Sequence, residues 1–267
     1  MERMFSRRDL WRLILPLVIE QLLAVTIGMA DTVMVASVGE AAVSGISLVD
    51  SVNILLINIF SALATGGAII AAQYIGREDR ENACAAAKQL LLASTAVSLV
   101  IMAGCMFFQR PLLTLIFGQI EPLVMDNANT YFFLSALSYP FLAVYNSGAA
   151  LFRSMNNSKI SMVTSVGMNL INIAGNALTI YGFHMGVTGA GLSSLISRAA
   201  GAAAMLVLLQ NPHNLIHIEH IWKPELRPRM IRNILQIGIP NGLENGMFQI
   251  GKILVQSLIA SFGTAAI

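Results

Sequence analysis

Charge is what this sequence has least of. Only 11% of its 267 residues are Asp, Glu, Lys or Arg, against about 25% in an ordinary soluble domain. The net charge is +2, so no polyanionic partner is indicated and no nucleic-acid face is expected. No HExxH, GxSxG or P-loop pattern occurs. Without a nucleophile–base or metal constellation, the chain is not expected to be an enzyme, and no bound cofactor or resident metal is expected. Cysteine is as scarce: Cys84 and Cys105 share one apolar stretch. In a single helix they would stand roughly 30 Å apart, too far for a disulfide. Arg7, Arg8 and Arg12 precede an apolar run much longer than that of a cleavable signal, and no cleavage motif follows. What the chain does have is apolar bulk, with 56% hydrophobic residues and a mean hydropathy of +0.70. This composition excludes disorder and points to a helical integral membrane protein.

A spanning helix needs about 20 mostly apolar residues. Seven runs meet that length, at 13–36, 43–72, 84–108, 127–152, 160–181, 189–209 and 234–261. They are separated by Glu40, by Arg77-Glu78-Asp79-Arg80, and by a connection from Arg110-Pro111 to Glu121-Pro122. Further on come a polar turn from Arg153 to Lys159, a glycine-bearing turn from Tyr181 to Thr188, and a long linker from Gln210 to Arg232. Alternate breaks fall on alternate sides. One side then receives Arg3, Arg7, Arg8, Arg12, Arg77, Arg80, Lys88, Arg153, Lys159, Lys223, Arg227, Arg229 and Arg232, and the other receives Arg110. This asymmetry predicts a multi-pass protein of the cell membrane with a cytoplasmic amino terminus. Arg198 and Lys252 fall inside spans.

The first and last runs resemble each other. Shifted by 224 residues, Pro16 meets Pro240, Glu20 meets Glu244, and Ala36-Ser37-Val38-Gly39-Glu40-Ala41-Ala42 meets Ala260-Ser261-Phe262-Gly263-Thr264-Ala265-Ala266. Such a repeat is expected of a transporter built from two similar lobes. Residues 1–209 would form a six-helix lobe, 210–233 a cytoplasmic linker, and 234–267 the first helix of a second lobe. On this reading the chain is a fragment or an incomplete gene model. It would not transport alone, and it would act as a monomer when complete.

Ionisable residues inside a span are costly and functional by default. Here they are Glu20, Asp31, Asp50, Arg198, Glu244 and Lys252. The spacing of Glu20 and Asp31 returns to within about 20° of one helical face. Ser165, Asn169, Asn172, Asn176 and Thr179 form a polar stripe along the fifth span. That stripe must face protein or water, either as helix–helix hydrogen bonding or as part of a site. Counting from mid-span, Asp31, Asn176 and Ser194 each lie roughly 8–11 Å toward the outer face. Asp50 and Asn53 share that slab, and Asn172 lies near the midplane. A carboxylate, two amides and a hydroxyl at one depth suit a small cation or a proton relay, or else a structural hydrogen-bonded knot. Arg198, near mid-span, needs a partner that the sequence does not name. Lys252 lies at a depth near that of Asp31, so it either bridges the lobes through that residue or snorkels outward.

Other signals are read more plainly. His213, His217 and His220 have helical spacing but sit in the polar linker and are expected to be solvated. Gly66, Gly67 and Gly201 read as close-packing points. Pro16, Pro140 and Pro240 lie inside spans and should kink them.

At Pro16 to Ala42 with Ala30-Asp31-Thr32-Val33-Met34-Val35, and at Gln73-Tyr74-Ile75-Gly76 with Ala83, the chain resembles a known family. So do Asn172-Ile173-Ala174-Gly175-Asn176-Ala177-Leu178-Thr179-Ile180-Tyr181-Gly182 and Gly189-Ala190-Gly191-Leu192-Ser193-Ser194-Leu195-Ile196-Ser197. The family is the multidrug and toxic compound extrusion (MATE) transporters, and the similarity covers the whole chain. The resemblance implies a twelve-helix exporter of two six-helix lobes, of the bacterial type, expelling organic cations in exchange for protons or sodium. It implies that Asp31 takes up the coupling ion and that Asn172, Asn176 and Ser194 complete the site. Some members carry Asp where this chain has Asn176 and Thr where it has Ser194; the Asn removes one negative charge. Glu20, Asp50 and Glu244 are further candidates for ion or substrate contact. The alternatives are a lipid-linked oligosaccharide flippase of the same superfamily and a non-transporting membrane fragment. A flippase cavity should be rich in Arg and Lys to hold pyrophosphate; here Arg198 and Lys252 alone qualify.

Overall fold

The computed structural model describes residues 7–218 and 226–260; the side chains at 7–10, 12, 13, 23–28, 30 and 31 fall outside the described set. The described residues form helices and no strand: α1 (Arg7–Ala36), α2 (Glu40–Gly76), α3 (Arg80–Phe107), α4 (Gln109–Phe117), α5 (Pro122–Ser154), α6 (Ser158–Asn176), α7 (Gly186–Leu209) and α8 (Pro228–Ala260). A π turn over Ala177–Gly182 extends α6. The all-α architecture and the seven long helical segments agree with the sequence reading. By length and apolar composition alone, α2, α3 and α7 suffice to cross a membrane. The other long helices have polar side chains interspersed among their apolar ones.

Helices overshoot the apolar runs that predict them. The apolar run marks the part that meets lipid, whereas the helical hydrogen bonds continue into polar residues at each end. Thus α5 begins at Pro122, whose ring suits the first helical turn, and α8 begins at Pro228 rather than at 234. One connection departs from expectation: residues between Arg110 and Glu121 fold into α4. Its Leu113 and Phe117 are buried while Leu115 is 85% exposed, so this short helix is amphipathic and too brief to read as a span. Pro16, Pro140 and Pro240 lie inside continuous helices.

The helices α2 and α5 form the centre. α2 packs against α5, α3 and α8; α5 also packs against α7 and α3; α6 joins α7 to α1. Two apolar clusters fill the bundle. One gathers Leu48, Phe60, Leu113, Phe132 and Tyr139. The other gathers Leu90, Phe152, Met205, Leu209 and Ile234 toward the arginine-rich end. The glycines read as packing points do sit at close contacts. A Cβ on Gly66 would lie 2.7 Å from the Ile234 carbonyl oxygen and 2.8 Å from the Gly238 nitrogen, so α2 and α8 meet backbone to backbone. Gly67 faces Leu90, and Gly201 faces Met168.

The arginine-rich loops converge. Arg80 donates to the carbonyls of Pro212 (3.0 Å), Asn214 (2.7 Å) and Leu215 (3.0 Å). Arg227 donates from its backbone to Gln89 Oε1 (2.9 Å) and from Nη1 to Asn82 Oδ1 (3.1 Å). The α2–α3 turn and the described parts of the α7–α8 connection therefore occupy one end of the bundle, as counting alternate loops requires. Asp79 caps α3, accepting from Asn82 Nδ2 (2.7 Å) and the Asn82 amide (3.1 Å). Those two bonds, the side-chain one first, hold its carboxyl below the ordinary value. Elsewhere, Arg110 meets Asp126 at 3.3 Å in an exposed ion pair. Cys84 and Cys105 are both free.

Candidate functional site

A polar side chain inside an apolar bundle needs a hydrogen-bond partner, because no lipid atom supplies one. The stripe on α6 and the polar residues of α2 solve that problem together. Along α6, Asn176 Nδ2 donates to Asn172 Oδ1 (3.4 Å), one turn back on the same face. Asn172 Nδ2 donates to Ser194 Oγ on α7 (3.2 Å). Tyr131 on α5 hydrogen-bonds both Ser194 and Asp50. Asp50 Oδ1 also accepts from Asn53 Nδ2 (3.1 Å), which is shared with Ser135 Oγ at 3.3 Å. Tyr139 donates to Asn53 Oδ1 (2.9 Å).

These bonds share one sense. Asn176 donates to Asn172 and Asn172 to Ser194. Tyr131, with a single proton, gives it to the carboxylate and accepts from Ser194. Tyr139 donates to Asn53, and Asn53 donates to Asp50. The donors of four helices thus point toward one carboxylate, an arrangement complementary to negative charge. Arg198, one turn beyond Ser194 on α7, places Nη1 at 2.6 Å from Ser138 Oγ. It also interacts electrostatically with Asp50.

Beside Asp50 lies a cavity of about 370 Å³, lined by Thr32, Ser47, Asp50, Tyr131, Asn176 and Ser194 and by the apolar Val35, Ile46, Ile54 and Ala190. It is within the size range of small-molecule pockets, with a lining about evenly divided between polar and apolar side chains. Asp50 is the one carboxylate among its described lining residues. The π turn starts at residue 177, directly after Asn176. Such local widening of a helix is frequent at functional sites.

Of the residues singled out from sequence, Asp50, Asn172, Asn176 and Ser194 come together here. The side chain of Asp31 lies outside the described residues; its neighbour Thr32 lines the cavity. Glu20 is elsewhere. It accepts from Ser161 Oγ (3.4 Å), which also takes a bond from Arg153 Nη1 (3.2 Å). Glu20 thus belongs to a cluster near the α5–α6 turn. Glu244 is exposed on α8. Lys252 is exposed on α8 too, its Nζ 4.9 Å from the ring centroid of Phe248. His213 is exposed. His217 Nδ1 lies 3.4 Å from Arg80 Nη2 and 3.9 Å from Cys84 Sγ, so it packs on α3 rather than standing in solvent. His220 lies outside the described residues. No group of three His, Cys, Asp or Glu side chains converges among the described residues. Tyr131, Ser135, Ser138 and Tyr139 were not singled out. Tyr131, Ser135 and Ser138 follow the 4, 3 steps that open the α6 stripe, and Tyr139 lies one turn beyond Ser135; that signal is present in the sequence.

The MatE family model matches residues 16–178. "Uncharacterized transporter YisQ" of Bacillus subtilis (strain 168) is 30% identical over 97% of this chain and 57% of its own length. "Probable multidrug resistance protein NorM" of Thermotoga maritima is 25% identical over 97% of this chain and 56% of its own. A crystal structure of MATE in the bent conformation superposes with a TM-score of 0.84 at 20% identity, covering 97% of this chain and 57% of that one. The chain spans a little over half the length of the curated relatives it matches.

Proposed function

The chain belongs to the MatE family, the multidrug and toxic compound extrusion transporters, and from that premise we propose that the complete transporter exports organic cations in exchange for protons or sodium. Relatives named as multidrug resistance and multidrug export proteins support drug efflux as the reading. The observation that carries it is the cavity: a small chamber of mixed polar and apolar lining whose described residues hold one carboxylate, toward which the donors of four helices are aimed. Such a chamber suits an organic cation, through one charge and an apolar wall formed by Val35, Ile46, Ile54 and Ala190.

Exchange needs nothing more than competition. If the coupling ion and the cargo prefer different states of the protein, each drives the other across. Asp31, next in sequence to the cavity-lining Thr32, is the proposed coupling carboxylate, and Asn172, Asn176 and Ser194 are proposed to complete its site. Asn172 and Asn176 hydrogen-bond each other and Ser194, which supports a shared site. The converging arginine-rich loops support a cytoplasmic amino terminus, since one end of the bundle collects the positive charge. A flippase would need a cationic chamber, and the carboxylate in this one argues against that reading.

The test is efflux of a fluorescent lipophilic cation in inside-out vesicles carrying the transporter expressed from its complete reading frame. The expected result is uptake driven by a proton or sodium gradient, lost in Asp31→Asn, with the effective gradient naming the ion. Uptake retained in Asp31→Asn would move coupling to other carboxylates. No cation uptake by the wild type under either gradient would defeat the exporter reading.

A further inference from the structure

We infer that Arg198 is the built-in counter-cation of this cavity: it competes with an arriving organic cation for the field of Asp50 and so sets how tightly cargo is held. The inference deepens the exporter reading above and rests on it.

A guanidinium in the middle of a membrane helix is costly and must be compensated. Here the compensation is indirect. Arg198 Nη1 donates to Ser138 Oγ at 2.6 Å, and Ser138 Oγ is itself anchored on the Ser135 carbonyl at 2.6 Å. Ser135 Oγ accepts from Asn53 Nδ2, which also donates to Asp50. Among the described residues Arg198 and Asp50 form no direct ion pair, yet they interact electrostatically. The two charges are thus held apart by a bridge of neutral polar groups.

That separation has a chemical consequence. A direct ion pair would occupy the carboxylate and close it to other cations. A guanidinium held by Ser138 balances the charge and leaves Asp50 lining the cavity. An organic cation entering there is attracted by Asp50 and repelled by Arg198, and both terms are strong in a medium of low dielectric constant. Removing Arg198 therefore tightens cation binding, removing Asp50 loosens it, and a neutral molecule of similar shape feels neither change. Arg198 is not among the residues that line the cavity; it acts there through the field of its charge.

The experiment measures equilibrium binding of tetraphenylphosphonium, with triphenylphosphine oxide as the neutral control, to the purified transporter from its complete reading frame. Arg198→Met is expected to bind the cation about tenfold tighter, and Asp50→Asn about tenfold weaker, with the neutral control unchanged in both. Arg198→Lys, which keeps the charge, should stay near the wild type. Equal cation affinity in Arg198→Met and wild type would overturn the inference, as would a shift shared by the neutral control. Should Arg198→Met not fold, Ser138→Ala carries the test. It keeps both charges and frees the guanidinium to close on Asp50, so cation affinity should fall about threefold; an unchanged affinity overturns the inference. A wild type that does not bind the cation would overturn the exporter reading and this inference together. Binding by the wild type that is indifferent to these substitutions would overturn this inference alone.

Discussion

The two faces of α2 hold their neighbours in opposite ways. Toward α5, the helix presents Asp50 and Asn53, and the contact is a set of hydrogen bonds to Tyr131, Ser135 and Tyr139 around a cavity. Toward α8, it presents Leu55, Leu63 and Gly66; backbone meets backbone at Gly66, and beside that contact Leu55 and Leu63 line a wholly apolar cavity of about 350 Å³. The hydrophobic effect contributes little between helices already in lipid, so close approach and hydrogen bonding do the work. The difference teaches how each side of α2 satisfies its neighbours, one through hydrogen bonds around a polar chamber and the other through close backbone approach beside an apolar one. A polar face must be fully bonded or wet, so it encloses a chamber. A glycine face has no polar side chain to satisfy and can be closed or opened as a unit.

The largest effect should come from breaking the polar face. Asn53 is 2% exposed and bonds Asp50, Ser135 and Tyr139 at once. Asn53→Leu leaves three buried polar groups short of a partner, a cost of about 3 kcal/mol or more. The thermal midpoint of the purified transporter should fall by roughly 6–12 °C. A fall below a couple of degrees would mean that the network carries no stability. The glycine face should come next. Gly66→Val drives a side chain into the Ile234 carbonyl and the Gly238 backbone, where overpacking costs about 2 kcal/mol. The discriminating readout is a disulfide between Leu63→Cys and Gly238→Cys. It should form readily in the parent and slowly once Gly66 is replaced, while the polar-face variant leaves its rate unchanged.

This contrast was only half legible in the sequence. The glycines of α2 and the depth of Asp50, Asn53, Asn176 and Ser194 followed from counting residues along spans, because helical rise converts position into depth. Which helix stands beside which did not follow. Tyr131 completes the network because α5 lies between α2 and α7, a tertiary fact that no local pattern encodes. Arg198 finds Ser138 for the same reason. Glu20 shows what periodicity leaves out: its face of α1 could be counted, but its partners, Ser161 and the field of Arg153, belong to a turn that no local pattern brings near. α4 escaped notice because its apolar side chains cover one face of a helix of 9 residues, less than a span requires.

A subtler substitution sharpens the polar face without collapsing it. Tyr139→Phe keeps the ring, including its tilted contact with Phe60 at 6.0 Å between centroids, and removes the hydroxyl that donates to Asn53 Oδ1. One lost hydrogen bond should cost about 1 kcal/mol, or roughly 2–4 °C in the midpoint. An effect as large as that of Asn53→Leu would place most of the network's stability in this one hydrogen bond, and no effect would place the residue's contribution in its aromatic packing.

The smallest effect lies off both faces, where α2 hands over to α3. Asp79 is the N-cap of α3, and its carboxylate accepts from Asn82 Nδ2 and the Asn82 amide. Because those bonds favour the ionised form, the carboxyl is held below its ordinary value. The linkage has one sign. A depressed folded pKa contributes stability above the unfolded value, about 3.9, and that contribution is lost as pH falls through the folded pKa. Asp79→Ala should therefore melt slightly below the wild type at neutral pH, and the two midpoints should converge as the buffer is taken well below pH 4. Asp79→Asn, which keeps an acceptor oxygen but cannot ionise, should melt between them at neutral pH and show no such convergence with Asp79→Ala. A gap between wild type and Asp79→Ala that is constant with pH would mean that the cap acts through its shape, not its charge.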